Sequence, residues 1–161
     1  MKFLFLDIDG VLNSECFFCL SASGDRSHNF DEIPSLDSFC KDFIDREAVE
    51  KVMKICSETG AEIVLSSSWR SDDKCFERLR PTGLVIERKT PSLFWKYQTY
   101  LCRGHEIEEY LKKNPSEGYC ILDDDSDMLE SQKDHFVHID ECFGLTDEDA
   151  DRAIDILGRK S

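Results

Sequence analysis

The chain has 161 residues and a formal net charge of −14, so one domain with one core is expected, and its surface should repel nucleic acid and anionic lipid over most of its area. No apolar run approaches the roughly 20 residues that cross a membrane, and Asp7 cuts the opening MKFLFL far short of a secretory signal core. A cytoplasmic protein with no membrane partner follows as the expectation, with its eight cysteines reduced rather than paired.

FLFL (residues 3 to 6) is a continuous apolar run, as in a strand buried on both faces of a parallel sheet. Residues 14 to 44 fit neither the helical nor the strand period. They contain Gly24, Pro34 and several Ser and Asp, and read as an insertion or long loop. Within them, CFFC (16 to 19) is half of a metal motif; Cys16 and Cys19 with His28 and Cys40 could hold zinc, but one half-motif does not specify it. Residues 46 to 58 place Val49, Val52, Met53 and Cys56 at helical spacing, with Asp45 as N-cap and Gly60 beyond the end.

EIVL (62 to 65) predicts a second strand, residues 72 to 79 a short helix ended by Pro81 and Gly83, and LVI (84 to 86) a third strand. Residues 104 to 113 predict a helix with Ile107, Tyr110 and Leu111 on one face, stopping at Asn114-Pro115. YCIL (119 to 122) and FVHI (136 to 139) are the next strands. Residues 146 to 157 open on a Thr146/Asp149 capping pair and bury Ala150, Ala153, Ile154 and Leu157. Strands alternating with helices predict an α/β fold on a mostly parallel sheet of about five strands. The segment 69 to 113 carries ten Lys+Arg against seven Asp+Glu, so an anionic ligand is expected to approach there.

Polar residues cluster where strands end. Asp7 and Asp9 follow the first strand, Ser66, Ser67 and Ser68 the second, and Asp123, Asp124 and Asp125 the fourth. In open α/β sheets ligands bind beyond the carboxyl ends of strands. Carboxylates gathered there repel one another unless a cation lies between them, and all-oxygen ligands suit a hard ion such as Mg²⁺. Residues two apart in extended backbone face the same side, so Asp7 and Asp9 can serve one ligand, one as nucleophile and one as proton carrier. Gly10 removes a side chain where the backbone turns and leaves N–H groups to approach phosphate oxygens. Asp125 and Asp127 read as solvated residues or N-caps, and His28 and His105 as ordinary exposed histidines.

These residues resemble a family. FLDIDGVLNS resembles the first motif of the haloacid-dehalogenase-like (HAD) superfamily, IVLSSS the second and ILDDDSD the fourth. SSSWR, RGHEIEEYL, LDDDSDM and GLTDEDA have look-alikes, in the same order, in the small HAD domains associated with Swiss-army-knife RNA-repair proteins. The resemblance implies a Rossmann-like three-layer sandwich, capless or with a minimal cap at about 14 to 44, forming a single domain over 1 to 161. It implies a Mg²⁺-dependent phosphatase in which Asp7 attacks phosphorus and Asp9 carries the proton. Ser67, or else Ser66, would bond a phosphoryl oxygen, and Arg103, with Lys96 as substitute, would neutralise charge. Mg²⁺ would be held by Asp7, the Asp9 carbonyl and Asp124 or Asp123. Arg70 is a candidate for substrate contact, or else a surface cation lying on an aromatic ring.

The implied substrate is a phosphorylated small molecule such as a nucleotide, or a nucleic-acid terminus, without an extended nucleic-acid interface, and a monomer is expected. Two alternatives from other classes are a catalytically inactive HAD-fold protein-binding module and a receiver-type phosphoacceptor domain. The receiver would place its acceptor at the end of a middle strand, where this chain has serines.

Overall fold

The computed structural model describes residues 1–23, 43–93 and 102–159. His28, Cys40 and Lys96, and most of the expected cap, lie outside the described residues. Among those described, five strands form one parallel sheet: β1 (Lys2–Leu6), β2 (Glu62–Leu65), β3 (Ile86–Lys89), β4 (Gly118–Asp123) and β5 (Phe136–His138), in the order β3-β2-β1-β4-β5. The helices are α1 (Glu15–Ser23), α2 (Arg46–Thr59), α3 (Cys75–Leu79), α4 (Arg103–Lys113) and α5 (Asp147–Gly158).

The alternation of β1 divides the core in two. Leu4 and Leu6 face one side with Ile63, Leu65, Cys120 and Leu122, and pack against Val49, Val52 and Ile55 of α2 and Ala150, Ala153 and Leu157 of α5. Phe3 and Phe5 face the other side with Val64 and Ile121, against Ile107 and Tyr110 of α4. The Tyr110 ring stands edge-on to both phenylalanines, with centroids 5.5 and 5.6 Å away, a favoured quadrupole arrangement. Three layers result, α/β/α, as the sequence predicts.

The helix ends follow local chemistry. Asp45 accepts the Glu47 N–H at 2.9 Å, and Gly60 ends α2 in the left-handed region at φ 69°. Thr146 and Asp149 form the expected reciprocal cap on α5.

Three expectations need correction. Residues 15 to 23 are helical, although their run of Phe, Cys and Ser lacks a clear apolar stripe. The short helix starts at Cys75, three residues later than expected; it ends at Leu79 as expected, and Pro81 sits in the 3₁₀ turn (Arg80–Thr82) that follows and that Gly83 closes. The third strand begins two residues later than LVI predicts. Val85 is 75% exposed, and a register shift between Ile63 and Val64 lets Glu87 bulge from this edge strand.

Strands β1, β2 and β3 run to one side, and β4 is then reached by crossing back over β1. The reversal opens a crevice between the carboxyl ends of β1 and β4, the place where ligands bind in such sheets. Asp7 and Asp123 stand at those two ends.

Candidate active site

The backbone beyond the strand ends is stitched across the rim: the Asp7 N–H donates to the Leu122 carbonyl at 3.0 Å, the Ser66 N–H to Leu6 at 2.9 Å and the Thr90 N–H to Leu65 at 3.0 Å. These bonds fix where each side chain starts. Asp7 and Asp123 are buried and Asp124 is half-buried, and one carboxylate oxygen of each lies within 4.8 Å of the other two. Burial pushes Asp7 up to about 6, against the pull of Arg103 and the Ser67 hydroxyl. Burial, with the Asp7 charge beside it, pushes Asp123 up to about 8. Asp124 is raised as well, first by burial.

Among the described residues one cation reaches into this cluster. Arg103, first residue of α4, places Nη1 3.2 Å from Asp7 Oδ1 and Nε 2.9 Å from Asp123 Oδ2, and donates to the Ser66 carbonyl. Its charge is opposed by burial and held on by Asp7 and Asp123. The backbone around it is pinned: Asp127 accepts the Arg103 N–H at 2.9 Å, so the residue expected to be an N-cap or solvated is bonded to the first turn of α4. Gln132, buried, donates to the Gly104 carbonyl at 2.8 Å. A Cβ on Gly104 would stand 2.6 Å from the Leu129 nitrogen, so only glycine allows α4 this close to that loop.

Gly10 has a different role from the one expected. Its N–H donates to the Asn13 carbonyl at 3.1 Å and to Asn13 Oδ1 at 2.9 Å, and is not left for phosphate. What the glycine supplies is room. At φ 73° a Cβ there would lie 2.5 Å from Asp124 Cγ, so the acid occupies the space a side chain would fill.

Arg70 also departs from expectation. It is half-buried, and its guanidinium donates to the Ser66 carbonyl at 2.8 Å, to the Ser67 carbonyl at 2.6 Å and to Glu106. Those bonds brace the serine loop against α4, and neither substrate contact nor a surface position describes it. Ser67 caps the 3₁₀ turn (Ser68–Ser71) by accepting the Trp69 N–H at 3.3 Å, and bonds Asp7. The Ser66 Oγ is buried and has no hydrogen-bond partner among the described residues.

Asp9 is exposed, two residues beyond Asp7. Asn13 Nδ2 donates to its Oδ1 at 3.0 Å and Trp69 Nε1 to its Oδ2 at 2.9 Å. His105 is half-buried rather than exposed, its Nδ1 2.9 Å from Cys102 Sγ. Cys16 Sγ lies 3.9 Å from Cys142 Sγ, and the cysteines belong to no cluster of three metal-ligating groups among the described residues.

The donor set fits a hard divalent cation. All its atoms are oxygens, three acids face Arg103, and Asp123 Oδ2 meets Arg103 in an ion pair without hydrogen-bond geometry, leaving a buried oxygen with no hydrogen bond among the described residues. Asn13, Trp69, Glu106 and Gln132 were not singled out by sequence reasoning. Asn13, Trp69 and Glu106 lie inside the quoted motifs, whereas Gln132 carries no local signal.

The family model for the HAD domain in Swiss Army Knife RNA repair proteins matches residues 3–150. Neither a curated protein nor a solved structure matches the chain.

Proposed function

Because this chain belongs to the HAD domain family found in Swiss Army Knife RNA repair proteins, we propose that it is a Mg²⁺-dependent phosphomonoesterase working through an aspartyl-phosphate. The observation that carries the reading is the crevice itself: carboxylates from two adjacent strand ends converge within 4.8 Å, with Arg103 set between Asp7 and Asp123. Asp7, the Asp9 carbonyl and Asp124 or Asp123 would hold the ion; Asp123 also meets Arg103 and accepts the Asp125 N–H at 3.0 Å. Mg²⁺ bound there would supply charge neutralisation and alignment of the phosphoryl group.

Asp7 attacks phosphorus in line, its O–P bond forming as the bond to the leaving oxygen breaks. Asp9 gives its proton to that oxygen, then takes one from the water that hydrolyses the aspartyl-phosphate. Arg103 orients Asp7 and stabilises the charge on the transferring group, and the serines after β2 offer hydroxyl donors to its oxygens. A nucleotide or a phosphorylated RNA end is the proposed substrate class, supported by the family match.

The test is hydrolysis of an aryl phosphate with and without Mg²⁺, followed by a panel of nucleotides, sugar phosphates and 3′- or 5′-phosphorylated oligonucleotides. Metal-dependent turnover that Asp7→Asn abolishes is expected. No turnover on the whole panel would leave a binding module in its place.

A further inference from the structure

Asp9, the proposed acid/base, is the most exposed of the acids assigned to the reaction and stands on a turn. An exposed carboxylate on two rotatable bonds samples several rotamers, yet proton transfer needs it within hydrogen-bond reach of the leaving oxygen. The chain limits this freedom from two directions. Asn13, four residues on, holds Oδ1 at 3.0 Å, and Trp69, sixty residues on, holds Oδ2 at 2.9 Å through its indole N–H.

Trp69 is itself fixed. Its backbone N–H donates to Ser67 Oγ at 3.3 Å, and its side chain, partly buried, packs against the core cluster on the Leu4 and Leu6 side of the sheet. Arg70 holds the carbonyls of Ser66 and Ser67 from below. The indole therefore refers the position of Asp9 to the same short loop that presents the serine hydroxyls. A geometry shared between proton carrier and phosphoryl cradle is what a concerted departure requires.

We propose that Trp69 is a positioning residue for catalysis: its indole N–H holds the Asp9 carboxylate where it can protonate the leaving group. The proposal rests on the phosphatase reading for its kinetic consequence, and on the Asp9–Trp69 bond for its structural one. A phosphatase acid matters most when the leaving group is a poor one. An alkoxide needs the proton as it departs, whereas p-nitrophenolate leaves without it.

The test uses the full chain and two substrates, p-nitrophenyl phosphate and an alkyl phosphate, with Trp69→Phe and Trp69→His. Correct general acid catalysis contributes about 10²–10⁴-fold, so Trp69→Phe should slow alkyl phosphate turnover by about tenfold or more in kcat with KM little changed, and slow p-nitrophenyl phosphate far less. Trp69→His, which keeps a ring N–H, should recover part of the loss. No loss on either substrate, or a larger loss on p-nitrophenyl phosphate than on the alkyl phosphate, would overturn the proposal; an equal loss that Trp69→His partly restores would place the effect on hydrolysis of the aspartyl-phosphate common to both, where Asp9 is the base.

A second readout does not depend on activity. The indole N–H resonance of Trp69, assigned by its absence in Trp69→Phe, should shift and exchange faster in Asp9→Ala. An unmoved resonance sinks the positioning role whatever the substrate. Absence of Mg²⁺-dependent turnover on every phosphate of the panel would instead sink the phosphatase reading, so the two failures are separable.

Discussion

Asp7 and Asp123 are held folded at a cost that a cation would relieve. Each carboxyl has an ordinary value of 3.8, and burial raises them to about 6 and about 8. Between roughly pH 4 and pH 8 the folded chain therefore binds more protons than the unfolded one, and the contribution of these groups to stability falls as pH rises. Below the ordinary value both states are protonated and the penalty vanishes. A divalent ion at the proposed site would bind the ionised carboxylates in the folded state only, so its stabilisation should grow with pH. We expect the rise in Tm on adding Mg²⁺ over a chelator control to be larger near pH 8 than near pH 5, and to be much reduced in Asp124→Asn. Thermal melts followed by circular dichroism would check it. An increment independent of pH would place the ion elsewhere.

Besides the Arg103 bond to the Ser66 carbonyl, helix α4 meets the loop after β2 through a largely buried ion pair. Glu106 takes Arg70 on one oxygen and the Leu93 N–H, at 3.1 Å, on the other. Glu106→Ala would leave a buried guanidinium without its counter-charge and a buried N–H without its acceptor, a change that typically costs about 3 kcal/mol or more. A shift of the urea midpoint with unchanged slope is the expected record. Removing Glu62 from its exposed pair with Arg88 should leave the midpoint where it is. The contrast marks what a sequence can show. FLFL, EIVL and YCIL announce strands because both faces are buried, and Asp45 and Thr146 announce helix starts because their caps are local. The site acids are legible for the same reason, since each follows its own strand directly. Glu106 is not legible: in GHEIEEYLKK it is one acid among three, and its partner is 36 positions earlier. The bulge that delays β3, the bond between Trp69 and Asp9, and the seat of Gly104 against Leu129 likewise depend on neighbours that no local pattern encodes.

The net charge of −14 and the local excess of base in residues 69 to 113 invite opposite expectations about polyanions, and the ion pairs decide between them. Arg78 is bound to Asp72 at 2.6 Å, Arg88 to Glu62 at 2.8 Å, Lys112 to Glu108 at 2.9 Å, and Arg70 to Glu106. Much of the basic excess is thus spent on the chain's own acids, and Arg103 is turned into the crevice toward Asp7 and Asp123 rather than outward. A protein that tracks a nucleic-acid backbone with 6–10 phosphate contacts loses about 10³–10⁵ in affinity between roughly 50 and 200 mM salt through counterion effects. This chain should show no such loss. Its acidic surface repels the body of an oligonucleotide, and salt screens that repulsion over about a Debye length, near 10 Å at 0.1 M. For a 3′- or 5′-phosphorylated oligonucleotide, kcat/KM is expected to stay flat or rise as salt is raised at fixed Mg²⁺, whereas a phosphorylated mononucleotide should respond little. Lengthening the oligonucleotide beyond a few residues should bring no gain. A steep fall with salt, or a gain that grows with length, would mean that basic groups elsewhere on the chain grip the backbone and that recognition extends well beyond the terminal phosphate.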